Sequence, residues 1–208
     1  MKSILSIAYM LLLLVFAQRV SAQEMKRREY DLYIDNTTVN YTGKSVEAMS
    51  INGQIPGPTL EFTEGEYAVI NVYNDMDEET SIHWHGLLLP NAMDGVPYLT
   101  TVPIRAHKSL TFEFPVIQNG TYWYHSHTNL QEQAGLYGSI VIHPKDYNKE
   151  KDPKEFVMML SDWTNENPME VLRSLKRASD WYSIRKNNVI SYSKAMQRGY
   201  FKDLMKQE

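Results

Sequence analysis

No cysteine occurs among the 208 residues. The chain therefore forms no disulfide, offers no thiolate to a metal and carries no thiol nucleophile. Long apolar runs are also scarce. One stretches from Ile4 to Ala17 and is stopped by Gln18 and Arg19, which leaves it short for a membrane span. Basic charge is sparse through the middle of the chain. Residues 23–143 carry six Lys/Arg against fifteen Asp/Glu, a formal −9, whereas residues 144–208 carry thirteen against ten, a formal +3. An acidic body repels phosphate backbones and tolerates cations, so the balance argues against nucleic acid as a partner. Internal repeats and low-complexity tracts are absent as well.

The N-terminal apolar stretch has the layout of an export signal. Lys2 starts it, Val20-Ser21-Ala22 supplies small residues at the cleavage positions, and Gln23 becomes the mature start. Residues 1–22 are thus expected to be a signal peptide, with the mature protein exported, periplasmic in a bacterium, and without a stable membrane span. An uncleaved anchor is the alternative.

Between Tyr30 and His143 the pattern is one of short strands and turns, with no long helix. Tyr30–Ile34 and Leu110–Phe114 alternate polar and apolar residues, Tyr67–Tyr73 is rich in β-branched and aromatic residues, and Leu136–Ile142 suits a strand buried on both faces. Asn52-Gly53, Pro56-Gly57-Pro58, Glu64-Gly65, Asp94-Gly95 and Asn119-Gly120 punctuate these runs as turns. Strands at this spacing predict an antiparallel β-sandwich. After Pro144 a charged linker leads to one more expected strand, Phe156–Leu160. Asn167-Pro168-Met169-Glu170 then starts a helix continued by Val171, Leu172, Leu175, Ala178 and Tyr182, and a second helical pattern runs through Val189, Tyr192, Met196, Tyr200 and Leu204.

Four of the six histidines form two tight pairs, His83/His85 around Trp84 and His125/His127 around Ser126. On a strand, positions i and i+2 face the same side, so each pair projects two imidazoles together. Two such strands side by side would gather four imidazoles, a donor set suited to copper, zinc, iron or nickel and unlike a cysteine-rich structural zinc site. A single His-x-His arises readily by accident; two pairs among aromatics and strand formers do not. His107 sits in a loop and His143 ends a strand, and neither is read as a ligand. The eleven methionines are scattered and are read as core filler, not a copper-collecting patch.

Together, Ser50–Leu60, His83-Trp84-His85-Gly86, Met93-Asp94-Gly95-Val96-Pro97, Gly120–His127 and Gly135-Leu136-Tyr137-Gly138 resemble, in order, the N-terminal domain of multicopper oxidases. Leu160-Ser161-Asp162-Trp163-Thr164 through Arg177 is similar to the copper-resistance branch of that family. The resemblance implies a mainly β, cupredoxin-like Greek-key sandwich over residues 23–144. Residues 145–208 would then be a linker, a strand and a helical segment leading to a second domain. It further implies that His83 binds a type 2 copper and that His85, His125 and His127 bind a type 3 pair, where dioxygen is reduced to water. Asp94 matches an acid that assists proton delivery; it also reads simply as the first residue of an Asp-Gly turn.

In the family the trinuclear site draws eight histidines from two domains, and only four of that set are present here. The type 1 copper needs a cysteine, which this chain lacks. The expectation is therefore a truncated or split oxidase that relies on a C-terminal cupredoxin domain of the same or a companion chain. Its substrate would be oxidised at that other domain, with cuprous ion the first guess and phenols next. The competing expectation is a stand-alone periplasmic module that sequesters copper without turnover; a generic adhesion sandwich would bind none.

Overall fold

In the computed structural model, residues 25–148, 155–177, 192–199 and 201–204 are described. The chain divides into two compact units, one formed by residues 1–37 and 47–159, the other by residues 38–46 and 160–208.

Eight strands account for the alternating stretches: β1 Arg27–Val39, β2 Val46–Ile51, β3 Gly57–Thr63, β4 Tyr67–Asn74, β5 His83–His85, β6 Lys108–Pro115, β7 Gly120–His125 and β8 Tyr137–His143. They form two four-stranded sheets, ordered β2-β1-β4-β6 and β3-β8-β7-β5. Side chains of alternate residues meet between them. Leu32 and Ile34, Ile70 and Val72, and Phe112 and Phe114 are buried on the first sheet; Leu60 and Phe62, Trp84, Tyr124, and Ile140 and Ile142 are buried on the second. Nearly every residue of β8 is buried, as its continuous apolar run requires.

The sheets are mixed and not purely antiparallel. β1 runs parallel to β4 and β3 parallel to β8, while β4/β6, β5/β7 and β7/β8 are antiparallel. Polar–apolar alternation records which face a residue buries and carries no information on strand direction, so the expectation of antiparallel pairing throughout had no physical signal behind it. Parallel neighbours cannot be joined by a hairpin, and the connections leaving β1 and β3 pass through other strands before returning.

Phe156–Leu160 forms no strand. Phe156, Met158 and Leu160 are more than four-fifths exposed, and among the described residues no strand ladders with them. An apolar run supplies side chains for a sheet but not a ladder partner.

In the second unit, Tyr41 packs edge-on against Trp163 at 5.0 Å, and the Asn165 amide donates to the Thr42 hydroxyl. The expected helix start is present. Helix Pro168–Lys176 has Asn167 as its cap, whose side-chain oxygen accepts from Met169 N at 2.9 Å, and Pro168 occupies the first turn, where its missing N–H costs nothing. It ends at Lys176; Ala178 and Tyr182 lie outside the described residues. The second helical pattern is two short helices, Tyr192–Gln197 and Phe201–Leu204. Gly199, at φ +79°, turns the chain out of the first by donating its N–H to Met196 O. Val189, Tyr200 and the expected signal peptide, residues 1–22, also lie outside the described residues.

Candidate metal centre

β5 is three residues long, and its register on β7 sets the site. His83 lies opposite His125, Trp84 opposite Tyr124 and His85 opposite Trp123. Trp84 and Tyr124 are fully buried and face the core, so the alternation of both strands turns His83, His85, Trp123 and His125 to the other side of the sheet. Four imidazoles meet there. The His83 ring centroid is 5.5 Å from His85, 5.7 Å from His125 and 4.9 Å from His127, and the His125 and His127 centroids are 4.8 Å apart.

His127 does not ride on a strand. β7 ends at His125, because Ser126 and Thr128 are drawn into a buried polar network centred on Gln131. Gln131 opens the one-turn helix α1, Gln131–Ala134. Thr80 Oγ1 and Ser126 Oγ donate to its side-chain oxygen at 2.7 and 2.9 Å, and its amide nitrogen donates to Glu79 O at 2.9 Å. His127 N donates to Ser81 Oγ at 3.0 Å, and Ser81 Oγ in turn bonds Thr128 Oγ1 at 2.9 Å. A buried network with every member paired fixes one geometry, which is how a histidine beyond the sheet is placed as firmly as one within it.

The nitrogens are sorted by their partners. His83 Nδ1 donates to Asp94 O at 2.7 Å, leaving Nε2 as a lone pair. His125 Nδ1 has the Ser126 carbonyl at 3.2 Å and a Glu132 carboxylate oxygen at 2.7 Å, which leaves its Nε2 free in the same way. His85 differs: it turns Nδ1 toward His125 Nε2, 3.2 Å away. Two nitrogens bound about 2.0 Å from one ion at a tetrahedral angle lie about 3.3 Å apart, so this spacing fits a shared metal. Ligating atoms of His83, His85 and His125 all fall within 4.8 Å of one another. His127 stands beside that triad without joining it. An all-imidazole donor set of this kind fits copper.

Burial, then the nearby His127 and His83 rings, pushes the His125 imidazole down to about 4, and burial followed by His83 and His85 also lowers His127. Both rings are therefore neutral near pH 7, as metal ligation demands. An unfolded imidazole titrates near 6.5. Between pH 6.5 and about 4 the unfolded chain thus binds a proton that folded His125 refuses. The metal-free chain is expected to hold its stability above pH 6.5 and to lose part of it as pH falls toward 4, at most about 2–3 kcal/mol from this residue, because the Glu132 carboxylate 2.7 Å from Nδ1 opposes the loss. Urea midpoints at pH 7.5 and pH 5 check this; equal midpoints would show that His125 titrates normally.

Asp94 is brought to the cluster by more than its turn. A 3-10 turn, Asn91–Met93, delivers it, and its carboxylate accepts from Thr100 Oγ1 at 3.0 Å while its other oxygen lies 3.4 Å from His83 Nδ1. Gly95 makes the approach possible: it sits at φ +84°, and a Cβ there would lie 1.7 Å from Ile82 O. His107 and His143 stay away from the cluster. His107 pairs with Asp77 at 2.9 Å, and His143 stacks on Tyr147 at the far end of β8. Glu132, Gln131 and the stacked Trp123 are the parts that sequence reasoning missed. Nothing in Gln131-Glu132-Gln133 marks one of them as the neighbour of a histidine.

Residues 33–147 match the family model described as multicopper oxidase. Copper resistance protein A of Escherichia coli is 46% identical over 171 residues, covering 82% of this chain and 28% of that protein. Copper resistance protein A of Pseudomonas syringae pv. tomato is 48% identical over 161 residues, covering 77% of this chain and 26% of that one. Among solved structures, the multicopper oxidase from Pseudomonas thermotolerans superposes with a TM-score of 0.58 at 30% identity, over 61% of this chain and 32% of its own. The laccase from Botrytis aclada does so with a TM-score of 0.55 at 42% identity, over 57% and 23%. The chain thus spans little more than a quarter of the length of these curated relatives.

Proposed function

Because the chain belongs to the multicopper oxidase family, we propose that its four clustered histidines hold copper as one half of an oxygen-reducing trinuclear centre. The observation that carries this reading is the convergence of His83, His85 and His125, with His127 beside them, on one face of the β5/β7 pair. His83 is assigned to the type 2 copper and His85, His125 and His127 to the type 3 pair. The 3.2 Å spacing of His85 Nδ1 and His125 Nε2 favours their sharing an ion. Copper bound there would supply the electrons by which dioxygen becomes water.

The rest of the proposed chemistry concerns this chain's own groups. The backbone carbonyl of Asp94 and the acceptors at His125 Nδ1 orient two rings with their lone pairs inward. The Asp94 carboxylate, held by Thr100, is the group placed to pass protons into the site, since water formation consumes them. Residues 23–144 would form this copper-binding domain. The remaining ligands and the type 1 copper would come from a cysteine-bearing cupredoxin domain of the same or a companion chain. Leu99 and Val102, exposed beside the segment that holds Asp94, offer apolar surface to such a partner. Cuprous ion is the proposed reducing substrate, following the copper-resistance relatives, and the periplasm the proposed compartment. Among the described residues no helix is long and apolar enough to cross a membrane.

Metal analysis with oxygen uptake tests the proposal. The purified chain should bind copper yet consume no oxygen, and consumption should appear on adding a cupredoxin domain that carries the type 1 site. Absence of copper binding would overturn the reading. Turnover by the chain alone would overturn the half-site, and bound copper that stays inert even with the added domain would favour sequestration.

A further inference from the structure

His125 is the most buried of the four imidazoles, and its ring is gripped on two sides. Trp123 stacks on its face with centroids 3.9 Å apart and planes 7° from parallel. Stacking fixes the plane of the ring but leaves it two choices within that plane, related by a half-turn that exchanges the Nδ1 and Cδ2 edges. Whatever lies at the edge must decide between them. Two acceptors lie at the Nδ1 edge: the Ser126 carbonyl at 3.2 Å and the Glu132 carboxylate at 2.7 Å. Glu132 is carried there by α1, whose preceding loop is anchored through Gln131, so the carboxylate arrives on a positioned element and not on a free loop.

We infer that Glu132 is a positioning residue for the metal centre: its carboxylate at the Nδ1 edge holds His125 as the Nδ1–H tautomer and so directs the Nε2 lone pair into the cluster. The inference rests on the copper-binding reading above. The physical reason is general, because an imidazole whose remote N–H faces a carboxylate is both oriented and made a stronger donor. Glu132 touches neither copper nor substrate in this role. Its influence passes entirely through His125.

The test uses Glu132→Gln, which keeps an acceptor without the charge, and Glu132→Leu, which removes both. In the metal-free chain near pH 7.5, nitrogen NMR of the histidine rings should report His125 protonated at Nδ1 in the wild type and in E132Q, and a mixture of tautomers in E132L. Copper affinity, measured by competition with a chromophoric chelator, should fall about 10–100-fold in E132L and less in E132Q. A merely structural role for Glu132 would move neither the tautomer nor the order of the two variants. Unchanged tautomer and affinity in E132L would overturn the inference and leave the Ser126 carbonyl and the His85 ring as the determinants. If the wild-type chain bound no copper, the functional reading would fail, yet the tautomer measurement would still decide the role of Glu132.

Discussion

Replacing His125 with alanine is expected to weaken copper binding by more than about 100-fold while leaving the chain folded. Loss of a group that only orients a ligand typically costs 10–100-fold in metal affinity, and loss of the ligand itself costs more. His125 is central to the cluster. Its Nε2 lies 3.2 Å from His85 Nδ1, and its ring adjoins those of His83 and His127. Removing it therefore takes away the nitrogen that faces His85 Nδ1 and the ring that joins His127 to it. The fold should survive because the substitution deletes a neutral, buried ring whose protonation is already unfavourable there, and the cavity it leaves can be wetted from the exposed side at His85. His107→Ala is the control, since that ring pairs with Asp77 at an exposed loop. Chelator competition on the purified variants gives the comparison. Equal affinity in H125A and wild type would place the copper somewhere other than this cluster.

Gly95→Ala should be the most damaging small substitution in the sandwich, at about 2–5 kcal/mol. A non-glycine residue at positive φ costs roughly 1–2 kcal/mol by itself. Here the added Cβ would also lie 1.7 Å from Ile82 O and 3.0 Å from His83 Cα, both backbone atoms. Neither can yield without moving β5, so overpacking adds about 1–3 kcal/mol. For a domain of this size the sum corresponds to a fall of roughly 10–20 °C in Tm. Gly53→Ala isolates the conformational part: φ is +73° there, and nothing lies within 4 Å of the added atom. If both variants melt together, the close approach of Gly95 to Ile82 is not what holds β5 against the Asp94 turn.

The first histidine pair was legible because its geometry is local, whereas His127 lies past the end of β7 and is placed by the bonds around Ser81 and Gln131. Period-2 alternation places His83 and His85 on one face whatever the rest of the fold does, and Trp84 between them names the face that must be buried. Asn167 was legible as a helix cap for the same reason, its partner being two residues away. Strand direction was not, since β1/β4 and β3/β8 pair across intervening strands and alternation looks the same for either polarity. Phe156–Leu160 has the apolar content of a strand, but among the described residues none ladders with it. Glu132 lay out of reach of sequence patterns. Its proximity to His125 depends on how the chain turns through Ser126 and Gln131, and that turn is set by hydroxyl and amide bonds to Thr80 and Glu79 from another part of the chain.

β5 has only three residues, lies at the edge of its sheet and is laddered on one side alone. A strand so weakly laced by its backbone would ordinarily open at low free energy. What fastens it is Trp84, sunk fully among Phe112, Phe114 and Tyr124. The lifetime of the imidazole cluster is therefore tied to indole packing rather than to backbone hydrogen bonds. Conditions that weaken apolar contacts, such as mild chaotropes, should scatter His83 and His85 while the inner strands β4 and β8 stay laced. In this chain the integrity of the imidazole cluster is bound up with the hydrophobic core.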